Sequence, residues 1–407
     1  LVSRTPQPTD VDVMALHLSR AVSAGAGESS VRLMMRAQQL EREGRDIVHL
    51  DIGEPDFSTP EHVTRAGIAA LEAHATHYAP VPGLAELRDA VAASTTAFRS
   101  LPVAYTREHV IIGPGAKPLL WNLMAVMLDP GDEVVYADPA YPAYPSACAY
   151  LGAHAKTFAL REDRAWSPDL DELAHAITPR TKVIILNSPN NPTGGTIPRE
   201  DLARIADLVL EHDMLVISDE IYSRNVYDEA FSSIVQLPGM QERTVIVDGV
   251  SKSHAMTGWR LGYCIAPPEI VRAMTTFANN TYQCTATFTQ FAGIAALTGD
   301  DAPTVAMNER LRARRDVVVA RLNAMPGVRC EVPRGAFYAF PNVSAIEPDD
   351  LALANYLLEA AGVACLSGSS FGPAGAGYLR LSYATSTANL EKAMDRIAAA
   401  LADYSPN

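Results

Sequence analysis

The chain has 407 residues, of which 48% are hydrophobic and 20% charged, and its 33 basic and 47 acidic residues give a net charge of −14. This balance suits a folded chain with a large buried core and excludes disorder for the bulk of it. An acidic chain is repelled by phosphate backbones and anionic lipid, so neither nucleic acid nor a membrane surface is an expected partner.

At about 150 residues per domain, two or three domains fit this length. Residues 1–28 carry scattered Pro, Gly, Ser and Thr and read as an N-terminal arm. They hold no apolar signal-peptide core. Ser29 or Ser30 then caps a helix that ends at Gly44, and a short strand, Ile47–Leu50, runs into the turn Gly53-Glu54-Pro55-Asp56. Helices are predicted over 61–73, 84–98, 116–128, 143–151, 199–211 and 284–298. Between them strands are predicted at His109–Ile112, Glu133–Ala137, Lys182–Asn187, Leu215–Ser218, Thr244–Val247 and Leu261–Ala266. These strands are continuous apolar runs, as a parallel sheet covered on both faces requires. A long helical pattern at 301–324 leads to strands near Val328–Glu331 and Phe337–Phe340, a helix at 349–361, a strand near Tyr378–Ser382 and a last helix at 387–403. The fold class is therefore α/β: a large, doubly wound, mostly parallel sheet domain with a smaller α+β domain. The expected division is an arm at 1–28, a small domain of 29–60 plus 310–407, and a large domain of 61–309.

No apolar stretch approaches the roughly 20 residues that span a bilayer. The five cysteines are odd in number and widely spaced, with no C-x-x-C, and read as reduced thiols of a cytoplasmic protein. No H-E-x-x-H or similar cluster appears, so no metal site is expected.

Only five lysines occur (Lys117, Lys156, Lys182, Lys252 and Lys392) against 28 arginines. Lys252 follows an apolar strand in a small-residue turn. A lysine amine can form a Schiff base with an aldehyde, which Arg cannot. Arg260 lies eight residues on, and its planar fork suits a phosphate. Amine plus phosphate clamp fits an aldehyde cofactor carrying a phosphate, namely pyridoxal 5′-phosphate; alone, a lysine after a strand is usually a surface lysine. Asn187-Ser188-Pro189-Asn190-Asn191-Pro192-Thr193-Gly194 closes another strand at the end where open α/β sheets bind ligands, although such turns are common. Asp219, in Ser218-Asp219-Glu220-Ile221-Tyr222, suits a pyridinium nitrogen or, equally, a helix N-cap. Gly113-Pro114-Gly115-Ala116-Lys117 joins a strand to a helix whose first N–H groups form a weak but ready phosphate seat.

Together, in this order, these segments and Leu379-Arg380-Leu381-Ser382-Tyr383-Ala384-Thr385-Ser386 resemble the class I aminotransferases of the fold-type-I pyridoxal-phosphate family, specifically the bacterial aspartate/aromatic aminotransferase branch. The resemblance runs from about residue 29 to 403. It implies that Lys252 is the Schiff-base lysine, that Asp219 pairs with the ring nitrogen, and that Tyr222 and Asn191 attend the ring hydroxyl. It implies that Tyr141 stacks on the cofactor ring. Gly115, Ala116, Lys117 and Arg260 hold the phosphate, and Tyr78 reaches the phosphate of a neighbouring subunit. Arg380 and Gly53 receive the substrate α-carboxylate, Asn191 and Phe337 line the substrate pocket, and Lys117 meets the distal carboxylate of an acidic substrate. Cis peptides are expected at Asp138–Pro139 and Asn191–Pro192. Gly249 stands where many relatives have a phosphate-binding Ser or Thr, and Ser251 is the candidate replacement.

The implied activity is ping-pong transfer of an amino group between an L-amino acid, glutamate or aspartate in one half-reaction, and a 2-oxo acid. It belongs to amino acid metabolism and biosynthesis, and the implied assembly is a homodimer with shared active sites. The alternatives are a pathway-specific aminotransferase with a non-acidic substrate, a lyase, cyclase or oxidase on the same scaffold, and a non-catalytic binding module.

Overall fold

The computed structural model describes residues 28–405; the expected arm, apart from Glu28, lies outside the described residues. In chain order the helices are α1 Glu28–Arg42, α2 Glu61–Glu72, α3 Ala85–Phe98, α4 Ala116–Met127, α5 Ala143–Leu151, α6 Leu170–Ala176, α7 Arg199–Glu211, α8 Pro268–Asn279, α9 Thr287–Thr298, α10 Ala302–Asn323, α11 Asp350–Tyr356 and α12 Thr387–Ala402. The strands are β1 Val48–His49, β2 Val110–Gly113, β3 Glu133–Asp138, β4 His154–Arg161, β5 Ser167–Pro168, β6 Thr181–Asn187, β7 Leu215–Asp219, β8 Thr244–Gly249, β9 Gly262–Ile265, β10 Tyr338–Ala339, β11 Val363–Ala364, β12 Leu366–Ser367 and β13 Leu379–Ser382.

The eight strands β2 to β9 form one sheet in the order β2-β9-β8-β7-β6-β3-β4-β5. All run parallel except β9, which is antiparallel to both neighbours, and the short β5. Strand alternation sends successive side chains into different cores. Val183, Ile185, Ile217, Val245 and Val247 face one core with α4, α5 and α8. Ile184, Leu186 and Val216 face a second core with α6 and α7, and Ile246 a third with α3 and α9. Each such side chain, fully buried, contributes about 1.5–3 kcal/mol.

A separate core gathers residues from both chain ends: Leu33, Leu40 and Leu50 with Leu311, Val318, Leu353, Leu381 and Leu390. Around it lie the β1–β11 pair and the three-stranded β10-β13-β12 sheet. Val328–Glu331 is not a strand; it makes only an isolated bridge, Arg329 to Asn342, and Cys330 bonds the Asn323 side chain instead. The helix expected over 349–361 is α-helical to Tyr356 and closes with a wider π-turn over Leu357–Ala361.

The parallel strands present their carboxyl ends at one edge, and the turns that leave β2, β3, β6, β7 and β8 there carry the residues singled out above. Asp138–Pro139 is cis as expected, but the second cis bond is Ser188–Pro189 rather than Asn191–Pro192. The chain leaves β6 at Ser188, whereas Asn191 and Pro192 lie inside a turn already closed by Gly194 N–H donating to Asn190 O at 2.9 Å.

Candidate active site

A cavity of about 330 Å³ opens at the carboxyl edge of the sheet. Its wall includes Gly53, Ala116, Lys117, Tyr141, Asn191, Asp219, Tyr222, Lys252, Arg260 and Arg380, all singled out from the sequence. Each arrives by a short local route. Gly115, at φ +105°, turns the chain from β2 into α4, leaving the N–H groups of the first helical turn without a side-chain cap. A Cβ on Gly115 would lie 2.5 Å from Arg260 Nη2, so glycine lets that guanidinium approach the helix end. Arg260 is itself left-handed at φ 54°, an uncommon conformation for a residue with a Cβ. It is held by donation to the carbonyls of Thr257 at 3.0 Å and Pro114 at 3.2 Å. Gly262 must also be small: its Cβ would fall 2.5 Å from Ala116 N.

Asp219 ends β7. Its carboxylate accepts from Tyr144 Oη at 2.6 Å, and burial raises its pKa to about 6. No basic group pairs with it among the described residues, so a cation presented by a ligand would find a counter-charge there. Asn187 donates to the Asp219 carbonyl at 3.0 Å and accepts from Asn191 N–H at 2.9 Å, tying the loop after β6 to β7. Lys252 lies beyond β8 and donates to Gly53 O at 2.5 Å; burial lowers its pKa to about 8. Arg380, on β13, is buried. It donates to Asp51 O at 2.5 Å and Asn191 Oδ1 at 3.2 Å, while its Nε has no partner. Lys117 Nζ stands 5.4 Å from the Tyr141 ring centroid. Lys117, Lys252, Arg260 and Arg380 have no carboxylate partner among the described residues. Four cations therefore face a cavity whose one lining carboxylate is Asp219.

Three expected residues lie elsewhere. Gly115 sits just behind the wall, under Arg260. Tyr78 is 80% exposed on the outer surface. Phe337 is fully buried behind the wall, its ring 5.3 Å from that of Tyr222, and its neighbour Tyr338 lines the cavity instead. Gly249 is explained by packing, since a Cβ there would meet Leu261 O at 3.0 Å; Ser251 and Thr257 contribute hydroxyl-bearing residues to the wall. Sequence reasoning missed Tyr144 and Tyr338. Tyr144 lies on the first turn of α5, three residues past Tyr141, which precedes the helix; the two rings meet edge-on at 5.7 Å.

A model of the family "Aminotransferase class I and II" matches residues 45–397. The chain belongs to this family. It is a pyridoxal-phosphate-dependent aminotransferase, moving an amino group between an amino acid and a 2-oxo acid. An aspartate/prephenate aminotransferase of Thermus thermophilus is 41% identical over 388 residues, 94% of this chain and 98% of that protein. An aspartate aminotransferase of Bacillus subtilis is 37% identical over 391 residues, again 94% of this chain and 98% of the relative. The solved aspartate aminotransferase from Thermus thermophilus with maleate superposes with a TM-score of 0.90 at 40% identity, covering 95% of this chain and 100% of that one.

The residues present fit the family's cofactor. A part-neutral buried amine, a buried carboxylate without a cation, and an uncapped helix start beside a guanidinium without a carboxylate partner match an aldehyde, a ring nitrogen and a phosphate in turn. Glycines keep the phosphate corner open.

Proposed function

We propose that this aminotransferase takes an acidic amino donor, glutamate or aspartate, in at least one half-reaction, in a cytoplasmic homodimer with shared active sites. The observation that carries the reading is the charge of the cavity: four cations face one carboxylate. A phosphate and an α-carboxylate account for Arg260 and Arg380. Lys252 is the amine that would meet the aldehyde, which leaves Lys117, on the first turn of α4, for a second carboxylate. The maleate of the Thermus thermophilus structure is a dicarboxylate, which supports the same choice.

When bound, pyridoxal phosphate supplies an aldehyde that links to amines and a ring that withdraws electrons from the carbon losing its proton. In this reading Lys252 offers a largely desolvated amine and, once released, holds the abstracted proton at Nζ. Asp219, fixed by Tyr144, keeps a negative charge against the ring nitrogen, and that cation in turn favours ionised Asp219. Tyr222 and Asn191 orient the ring hydroxyl, and Tyr141 covers the ring. The Ala116 and Lys117 N–H groups and Arg260 bind the phosphate. Arg380 and the Gly53 backbone hold the substrate carboxylate.

The test is a donor panel. Lys117→Met should lower kcat/KM for glutamate and aspartate about 30-fold more than for alanine or phenylalanine, the loss of a desolvated charge pair costing upwards of about 2 kcal/mol. An equal fall for all donors would remove the acidic-substrate reading.

Exposed Tyr78, with the exposed Ile68, Leu71 and Phe291 of the mutually packed α2 and α9, supports the dimer. An isologous interface of about 2,000 Å² or more is expected. Sedimentation should show a dimer, and a fully active monomer would contradict it. The five unpaired cysteines support the cytoplasm; no helix among the described residues is long and apolar enough to cross a membrane.

A further inference from the structure

Tyr338 stands where three parts of the cavity meet. Its hydroxyl is 2.6 Å from that of Tyr222, and no other hydrogen-bond partner is found for either hydroxyl among the described residues. The same hydroxyl abuts Gly53, where a Cβ would come within 2.3 Å of it. The face of its ring lies under Arg380, with the guanidinium carbon 4.5 Å from the centroid. Tyr222 and Tyr338 are both buried, and both line the cavity.

We propose that Tyr338 is a positioning residue with two separable tasks: its hydroxyl donates to Tyr222 and so strengthens Tyr222 as a donor, and its ring face, together with that of Phe371, holds the Arg380 guanidinium. The proposal rests on the assignment of Tyr222 to the ring hydroxyl and of Arg380 to the substrate carboxylate.

The first task follows from counting protons. Two phenols carry two protons, and one is used in the bond between them. When Tyr338 donates, the Tyr222 proton is directed away from Tyr338 and is free for an oxygen in the cavity. The donation also polarises Tyr222 and makes it the stronger donor. When Tyr222 donates to Tyr338 instead, Tyr222 has no proton left to give. A ring oxygen of the cofactor therefore selects the first arrangement, in which donation from Tyr338 strengthens Tyr222 as a donor. The second task follows from the charge on Arg380, which has no carboxylate partner. A cation over an aromatic face is attracted by the ring quadrupole. Asp51 O and Asn191 Oδ1 fix two edges of the guanidinium, and two rings face it, Tyr338 at 4.5 Å and, kept in both variants below, Phe371 at 5.1 Å.

The two tasks predict different outcomes for two variants. Tyr338→Phe keeps the ring and loses the hydroxyl; Tyr338→Leu loses both. A hydrogen bond donated to a charged oxygen favours the charged form. Weakening donation by Tyr222 should therefore raise the pH midpoint at which the bound cofactor changes its visible absorbance. Arg380 and Tyr141 are the titratable groups whose fields reach both hydroxyls, and both are kept in the variants.

The experiment is a spectrophotometric pH titration of the holoenzyme with pyridoxal phosphate bound, combined with steady-state kinetics on glutamate. Tyr338→Phe should raise the midpoint by about 0.5–1 unit, the scale of one altered hydrogen bond. Tyr222→Phe should raise it at least as far, and the double variant no further than Tyr222→Phe alone, because Tyr338 acts through Tyr222. Tyr338→Leu should add a rise in KM for glutamate of about fivefold or more over Tyr338→Phe, the weight of a partly desolvated cation–π contact. An unmoved midpoint in Tyr338→Phe, or shifts that add in the double variant, overturns the first task. Equal KM values in the two variants overturn the second. A wild-type protein with no pH-dependent visible band overturns the cofactor assignments beneath the proposal, and is told apart by that absence.

Discussion

Asp219 and Glu220 are neighbours in sequence, yet they belong to opposite kinds of charged region. Glu220 faces a closed cluster. Buried Arg99 donates to Glu220 Oε2 at 2.7 Å and to Asp248 Oδ2 at 3.0 Å. Ser218 and Ser233 donate to the other Glu220 oxygen at 2.8 and 2.5 Å, and Gly249 N–H donates to Asp248 Oδ1 at 2.7 Å. Asp219 faces the cavity, where four cations and one carboxylate remain incompletely matched. Carboxylates satisfied inside the chain, by Arg99 and by hydroxyl and N–H donors, hold the ends of α3, β7 and β8 together. Charges left incomplete wait for a ligand. The closed cluster is thus a frame for the open one, since it grips the two strands that deliver Asp219 and Lys252.

The largest effects are expected at the open cavity. Lys252→Ala should lower kcat by about 10⁴-fold or more, the upper range for loss of a positioned acid–base group, while pyridoxal phosphate still binds through its phosphate contacts. Stopped-flow absorbance with an amino acid, alongside equilibrium dialysis of the cofactor, checks both halves. If turnover survives, Lys252 is not the reacting amine. On the closed side, Arg99→Met leaves two carboxylates buried without their cation and should cost about 3–5 kcal/mol of stability, read from urea unfolding. A loss below about 1 kcal/mol would mean that the cluster is not the frame described here.

A smaller effect sharpens the contrast. Burial lowers Lys252 to about 8, well under an ordinary lysine near 10.4. The neutral amine is then about 10²-fold more abundant at pH 7 than on an exposed lysine. Cofactor capture by the apoprotein, followed by visible absorbance, should rise with pH and level off just above pH 8. A rate still climbing near pH 10 would show that the amine is not desolvated.

The central strands were legible because both their faces are covered, so each appears as an unbroken apolar run such as Val183-Ile184-Ile185-Leu186. β4 was not, because at the sheet margin its residues, from His154 to Arg161, are mostly exposed or half-buried and read as polar. α8 opens on Pro268 after an N-cap Pro267 and carries adjacent Thr275 and Thr276, which mask a helix whose stability comes from packing Met274 and Ala278 against α4. The site was legible where one turn delivers one residue, as at Lys252, Asp219 and Arg260. It was blurred at Phe337-Tyr338, where two adjacent aromatics face different ways and only the strand's orientation decides which meets the cavity. The Arg99 cluster could not be read at all, since its members are 121 and 149 residues apart in the chain.

The single antiparallel strand among the central ones carries a mechanical consequence. Lys252 and Arg260 both lie in the connection of residues 250–261 between β8 and β9, whose two ends are pinned by strand pairing. Arg380 and the Asp51–Gly53 segment belong instead to the core built from the two chain ends. Any rocking of that core against the eight-stranded sheet would change the reach from Arg380 to Lys252 more than the reach from Lys252 to Arg260. On the roles proposed for these residues, grip on an incoming amino acid and retention of the cofactor would then rest on different parts of the chain.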